Sequence, residues 1–291
     1  MSDRHILVGY TADDAGADAL ALGARIAAAT EALLEVVMVL PIEARGGVVP
    51  RDPAYERLVK EQSQQWLAQA SASIGRAVPQ SLHIRYAEGF ATGLLDAAHE
   101  FGASLIVVGA SRGGLFGRTR VGSVANELLH SSDVPVTVAP VGSREVPIAQ
   151  GVTRVTAAVG SRPGPVLEAS VALAGDTRAP LRLLSLVPVD LPAGVDTRLL
   201  ELTSVVGAQQ VLDDARAALP DGVEATATVA TGDSIEESVR ALEWHEGEVV
   251  LVGSSRLASP ARLFLGSTAS KMLRELPVPL IVVPSDARKT L

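Results

Sequence analysis

The sequence predicts an α/β protein made of two doubly wound parallel-sheet units in tandem, and three observations carry that expectation. The first is an internal repeat. Val108–Pro140 (VGASRGGLFGRTRVGSVANELLHSSDVPVTVAP) recurs without a gap at Val252–Pro284 (VGSSRLASPARLFLGSTASKMLRELPVPLIVVP), and thirteen of thirty-three positions are identical. Unrelated segments of ordinary composition share about two or three, so the chain carries a duplicated unit. The second is the alternation of short apolar runs with helical patterns, the signature of parallel strands joined by crossover helices. The third is composition: 291 residues, 47% hydrophobic and 3% aromatic. That length suits two domains of ordinary size, each with a core of Ala, Val, Leu and Ile.

Taken in order, His5–Tyr10 reads as a strand. Thr11-Ala-Asp-Asp-Ala opens an Ala/Leu-rich helix running to Thr30, at a start rich in capping side chains. Leu33–Leu40 is an apolar strand stopped by Pro41, and a polar helix spans Ala54–Ala77. Leu82–Ala87 is a strand and Ala91–Glu100 a helix, before Ser104–Val108 begins the repeated module. Gly142–Gly151 reads as a linker, which divides the chain into units 1–142 and 152–288. The second unit repeats the programme: strand Val155–Val159, helix Pro165–Gly175, strand Leu181–Val187, helix Thr197–Leu219 and strand Ala225–Ala230. Asp233, with Glu236 three residues on, signals the cap of a helix reaching His245. Trp66 and Trp244 fall in helical patterns and read as core or interface residues.

Within each copy of the module, a buried strand ends at Gly109 or Gly253. A Gly- and Arg-containing loop follows and closes on Gly122-Ser123 or Gly266-Ser267, where a helix begins. Strand, loop and helix N-terminus in that order can hold an anion, because free N–H groups and the positive dipole end converge there. The alternative is that Gly turns the chain and Ser caps a helix.

With its duplicated Gly and Gly-Ser positions, the chain resembles a tandem universal stress protein along nearly its whole length. That family carries G-x-x-G-x9-G-S/T between its fourth strand and fourth helix and holds ATP phosphates there. Gly109, Gly122 and Ser123 match that pattern, as do Gly253, Gly266 and Ser267, whereas Arg112 and Arg256 stand at the second Gly. The resemblance implies a flavodoxin- or Rossmann-like strand order of 3-2-1-4-5. The ligand crevice then lies between strands one and four, at the topological switch point. It also implies adenine and ribose contacts from the ends of strands one and two. Those positions are Gly9, Tyr10, Thr11 and Val39 in the first unit, with Gly160 and Leu186 as counterparts of Thr11 and Val39. The family's acidic ribose partner is absent from both units, being Thr11 and Gly160. Val124 and Thr268 complete the candidate phosphate set as the residues after each Gly-Ser.

Arg at the second Gly resists close backbone approach yet brings a guanidinium that can fork onto phosphate oxygens. Arg118 and Arg262 give each loop a second cation. The first loop keeps Gly113, Gly114 and Gly117, whereas the second has Pro260 and Phe264, so the first unit is the expected nucleotide site.

Other chemistry finds little footing. Gly109-Ala-Ser111-Arg-Gly113 has the G-x-S-x-G spacing but not the helix that should follow its Ser, and Leu257 replaces the last Gly in the second copy. The histidines lack an H-E-x-x-H arrangement, and no P-loop lysine motif occurs. Asp13-Asp14 reads as a cap and dipole partner, and Mg²⁺ is expected only as a companion of bound nucleotide. No enzyme activity is expected. A net charge of −8 opposes general nucleic-acid binding, and no apolar run approaches a membrane span. The absence of cysteine and of a signal-peptide pattern fits a cytoplasmic protein. Two readings remain: a stress-response regulator that holds ATP or a related adenine nucleotide with little turnover, or a scaffold whose pockets have degenerated. The apolar fifth strands, Val136–Ala139 and Leu280–Val283, are expected to pair with each other, with a further homodimer left open.

Overall fold

A computed structural model describes residues 4–42, 53–110, 121–160, 164–188, 197–255 and 263–285. The first half runs β1 (His5–Gly9), α1 (Asp14–Thr30), β2 (Leu33–Pro41), α2 (Pro53–Ile74), β3 (Gln80–Ala87), α3 (Phe90–Phe101), β4 (Leu105–Gly109), α4 (Ser123–Ser131) and β5 (Val136–Ala139). The second repeats it as β6 (Arg154–Ala158), α5 (Gly164–Thr177), β7 (Leu181–Pro188), α6 (Thr197–Ala217), β8 (Ala225–Gly232), α7 (Ile235–Arg240), β9 (Glu248–Gly253), α8 (Ser267–Glu275) and β10 (Leu280–Val283). Among the described residues the strands form one ten-stranded sheet in the order β3-β2-β1-β4-β5-β10-β9-β6-β7-β8. Each half therefore has the order 3-2-1-4-5, and all pairings within a half are parallel.

At the seam β5 and β10 run antiparallel, with Leu280 opposite Val138, Ile281 opposite Thr137 and Val282 opposite Val136. Thr137 and Ile281 are equivalent positions of the repeat, so the pairing is self-complementary about a pseudo-twofold axis between them. Thr137 is fully buried, and its hydroxyl donates to the Leu280 carbonyl at 3.1 Å. That bond satisfies the one polar side chain in an otherwise apolar pair of strands.

Alternation along each strand sends side chains to two faces, and helices cover both, which is why the strands read as continuous apolar runs. One core holds Ile6 and Val8 of β1 with α1, α2, α5 and α6, and includes Ile281 and Val283 of β10. The other holds Leu7 with α3, α4, α7 and α8, and includes Leu280 and Val282. Each core draws residues from both halves, so the seam joins hydrophobic interiors as well as sheets.

Asp13 caps α1, accepting from the Gly16 amide at 2.8 Å and the Thr11 hydroxyl at 2.7 Å. In the linker, Ser143–Glu145 and Ile148–Gln150 form short 3-10 turns that pack on α1. The buried Asp18 carboxylate holds the first of them, accepting from the amides of Gly142 and Arg144 at 3.1 Å each. The linker is thus part of the packed structure. Two local expectations differ from what is found. Ser234, not Asp233, caps α7, and Glu237 returns a bond to the Asp233 amide. That helix ends at Arg240, which leaves Trp244 in an irregular segment where its indole donates to the Val239 carbonyl.

Both halves bury a charged cluster near the start of the central strands. In the second, Glu248 is fully buried and accepts from Arg182 Nη2 at 2.8 Å, Thr156 Oγ1 at 2.6 Å, Arg154 Nη2 at 2.5 Å and the His245 amide at 3.0 Å. Arg182 stacks on Trp244 at 4.7 Å. Burial lowers its pKa, and the Glu248 charge works against that shift. In the first half Glu35 takes the carboxylate role, bound by His5 Nδ1 and His83 Nε2 at 2.7 Å each.

None of the described helices is long and apolar enough to cross a membrane. Removing one partner of a buried ion pair leaves the other charge uncompensated, at a cost of about 3–5 kcal/mol. Glu248→Gln, which strands two arginines, is expected to destabilise the protein by about 3 kcal/mol in chemical denaturation. An unchanged midpoint would show that the cluster does not hold the second half together.

Candidate functional site

The first crevice is set by where neighbouring strands stop. The β1–β2 ladder ends at Gly9 opposite Val37, and the Tyr10 amide extends it by one bond to the Val37 carbonyl at 2.9 Å. Val39 lies two residues beyond, past the end of β1. Its side chain is buried, and its ladder partner is Arg85 of β3. On the other side β4 ends at Gly109, beside Ala139 of β5, and Ala110 donates to the Ala139 carbonyl at 3.1 Å. Gly9, Tyr10, Thr11 and Gly109 therefore meet at the carboxyl ends of the two strands that part at the switch point.

Gly109 is required by packing. A Cβ there would collide with the Ala15 carbonyl oxygen in the first turn of α1, so any side chain would push strand and helix apart. Gly253 is less tightly held, with Val166 Cγ2 3.0 Å from the point a Cβ would occupy. Burial, and then the nearby Asp13 carboxylate, raise the Tyr10 phenol above its ordinary pKa and keep it neutral. Thr11 is exposed, with its hydroxyl committed to Asp13. Asp13 serves as the α1 cap, and Asp14 pairs with Arg144 Nη1 at 2.6 Å. Both carboxylates thus have cap and ion-pair roles. Among the described residues no group of three or more His, Cys, Asp or Glu is placed to hold a metal ion.

The helix starts match closely. Gly122 is the N-cap of α4 with φ −69° and ψ 167°, and Gly266 that of α8 with φ −69° and ψ 166°. Neither cap has a side chain to satisfy the first amides, and Ser123 and Ser267 are the first helical residues, both exposed. Ser is therefore not the cap. The first-turn N–H groups, the dipole end and an exposed hydroxyl make a donor set suited to phosphate oxygens. Val124 is half-buried and Thr268 exposed in the same first turns.

The second loop is described at both of its ends. In the second half Phe264 donates to Ser254 Oγ at 2.7 Å, and Ser255 donates to the Phe264 carbonyl at 2.8 Å, which draws the loop's two ends together. Ser255 Cβ stands only 3.3 Å from where a Gly266 Cβ would be. The same segment also reaches into the first half: Leu263 and Leu265 donate to the carbonyls of Ser132 and Leu129, and Phe264 meets His130 edge-on at 5.1 Å. Those carbonyls belong to the C-terminal end of α4, whose last acceptors need partners. Arg112, Arg118, Arg256 and Arg262, with Gly113, Gly114, Gly117 and Pro260, lie outside the described residues.

Sequence reasoning missed the buried polar groups Asp18, Glu35, Arg182 and Glu248, and with them Arg25 of α1, 1% exposed. The available signal was a charged residue inside an apolar stripe, at Asp18 and Arg25 in the Ala/Leu-rich helix and at Glu35 and Arg182 inside strands.

Comparison with known proteins agrees with this architecture. The model of the universal stress protein family matches residues 3–140 and again 152–284. Universal stress protein Rv2319c of Mycobacterium tuberculosis is 29% identical over 296 residues, covering 96% of this chain and 99% of that one. The crystal structure of a universal stress protein from Archaeoglobus fulgidus superposes with a TM-score of 0.69 at 18% identity, over 98% of this chain and 100% of that chain. Protein PA1789 of Pseudomonas aeruginosa superposes with a TM-score of 0.61, also at 18% identity, over 97% of this chain and 92% of that one. At such identities the structural matches speak for the fold alone. A family match to both halves, each with the 3-2-1-4-5 order, leads to one conclusion: the chain belongs to the universal stress protein family and carries two such units in tandem.

Proposed function

We propose that this protein is a stress-response regulator that binds ATP or a related adenine nucleotide with little turnover, mainly in the first half. The observation that carries this reading is the convergence at the switch point. Gly9 and Gly109 end adjacent strands there, and α4 opens on Gly122, a cap that brings no side chain of its own to the first amides. A phosphate group supplies the missing acceptors, and an adenine can reach the backbone beyond the end of β1 near Val39. Asp13 and Asp14 already serve as cap and ion-pair partner, which supports retention of nucleotide over its hydrolysis. Mg²⁺ would enter with the phosphates.

The second crevice favours the other reading, a pocket that has lost its ligand and serves contacts within the protein. Its loop ends are bonded to each other, and Leu263–Leu265 is bonded to α4. Ser123→Ala is expected to weaken ATP binding by about 1 kcal/mol, the scale of one polar contact, and Ser267→Ala to leave it unchanged. Calorimetry of both variants checks the ranking, and equal losses would contradict it.

Arg112 separates the two readings for the first half. If its guanidinium replaces the family's second Gly as a phosphate contact, Arg112→Ala weakens binding by about 1.5–3 kcal/mol, the scale of a charge-assisted hydrogen bond. If it obstructs the pocket, Arg112→Gly strengthens binding. The nucleotide-holding reading predicts the first result, with a loss that shrinks as salt rises. No measurable ATP binding by the wild type or either variant would leave the interaction role in its place.

A further inference from the structure

A pocket of about 280 Å³ lies where the linker, α1 and the turn before β9 meet. No residue of the nucleotide crevice lines it. Arg25 does, and its guanidinium is anomalous: the residue is 1% exposed, yet Nε and Nη1 have no hydrogen-bond partner. An arginine cannot relieve such burial by losing its proton at physiological pH. An unpaired buried charge is costly, whereas buried Arg182 and Glu248 pair with each other and Glu35 is held by two imidazoles. Burial lowers the Arg25 pKa, and the Glu246 carboxylate acts against this from a distance without forming an ion pair.

The surroundings restrict what can complete the pair. Pro140, Val141, Pro277 and Trp244 give the pocket apolar walls, while Glu145 and Glu246 add negative charge. A doubly charged anion meets repulsion from both carboxylates, whereas a singly charged one gains the Arg25 contact at lower cost. The turn is firmly placed, because the Glu246 carbonyl accepts from Thr153 Oγ1 at 2.7 Å and from Gln150 Nε2 at 3.1 Å.

We propose that this pocket binds a small organic monocarboxylate with an apolar body, its carboxylate paired to the Arg25 guanidinium. The site is independent of the nucleotide crevice, so it stands or falls separately from the function proposed above. It spans residues of both halves, and an occupant would tie α1 and the linker to the turn before β9.

Trp244 lines the pocket, and the chain has two tryptophans, so the indole N–H signals report directly. Benzoate titrated into the ¹⁵N-labelled full chain is expected to shift the Trp244 indole signal saturably and leave Trp66 in place. Inorganic phosphate at matched ionic strength should leave both unmoved. Arg25→Met should weaken benzoate binding at least about tenfold, the loss of one charge-assisted contact. Glu246→Gln, at an exposed position, should strengthen it severalfold, and this variant keeps the test open if Arg25→Met does not fold. No saturable shift of Trp244, an unchanged response in either variant, or equal binding of phosphate would overturn the assignment.

Discussion

Three residues on each side of the seam determine how the two halves of this protein relate. The antiparallel pairing of β5 with β10 removes an open edge from each five-stranded unit and replaces it with ladder bonds between equivalent strands. Because the repeat places Thr137 opposite its own counterpart Ile281, the join has local twofold symmetry and needs no special sequence on either side. Burial follows from it. Ile281 and Val283 enter one core, Leu280 and Val282 the other, and both cores run from one half into the next. The covalent linker then docks on α1 through Asp18, and Arg4 pairs with Asp176 across the halves at 2.5 Å.

Near the seam the two halves also touch outside their strands. Symmetry fixes the seam, but residues away from it have diverged. Phe264 and its neighbours lie against the C-terminal end of α4, so the loop of the second half has taken on a task in the first. The charged clusters show similar drift. The first half holds a carboxylate between two imidazoles, the second between two guanidiniums, and the carboxylate has moved from β2 to the first residue of β9. Packing of the strands is common to both, while the polar solution at their base is particular to each.

Much of this was legible in the residues. The repeat located the strand, the helix start and the closing strand of each module, because Gly109, Gly122 and Val134-Pro135 have counterparts in register. Apolar fifth strands pointed to the seam. Other features required the folded chain. Asp233 and Ser234 each stand three residues before a glutamate, so the capping pattern admits two registers, and the structure uses Ser234. Helical periodicity runs on past Arg240, but Trp244 is drawn instead onto Arg182 and the Val239 carbonyl. Arg25 looks like any solvated helix arginine in sequence. It is buried by a linker and a turn that lie more than a hundred and more than two hundred residues further along. The crevice itself was half legible: its glycines mark it, yet Gly109 is there to admit the first turn of α1.

If one of the two related crevices holds nucleotide, calorimetric titration of ATP into nucleotide-free protein saturates near one ATP per chain. Two equivalent sites per chain, or no saturable heat at all, would contradict that reading.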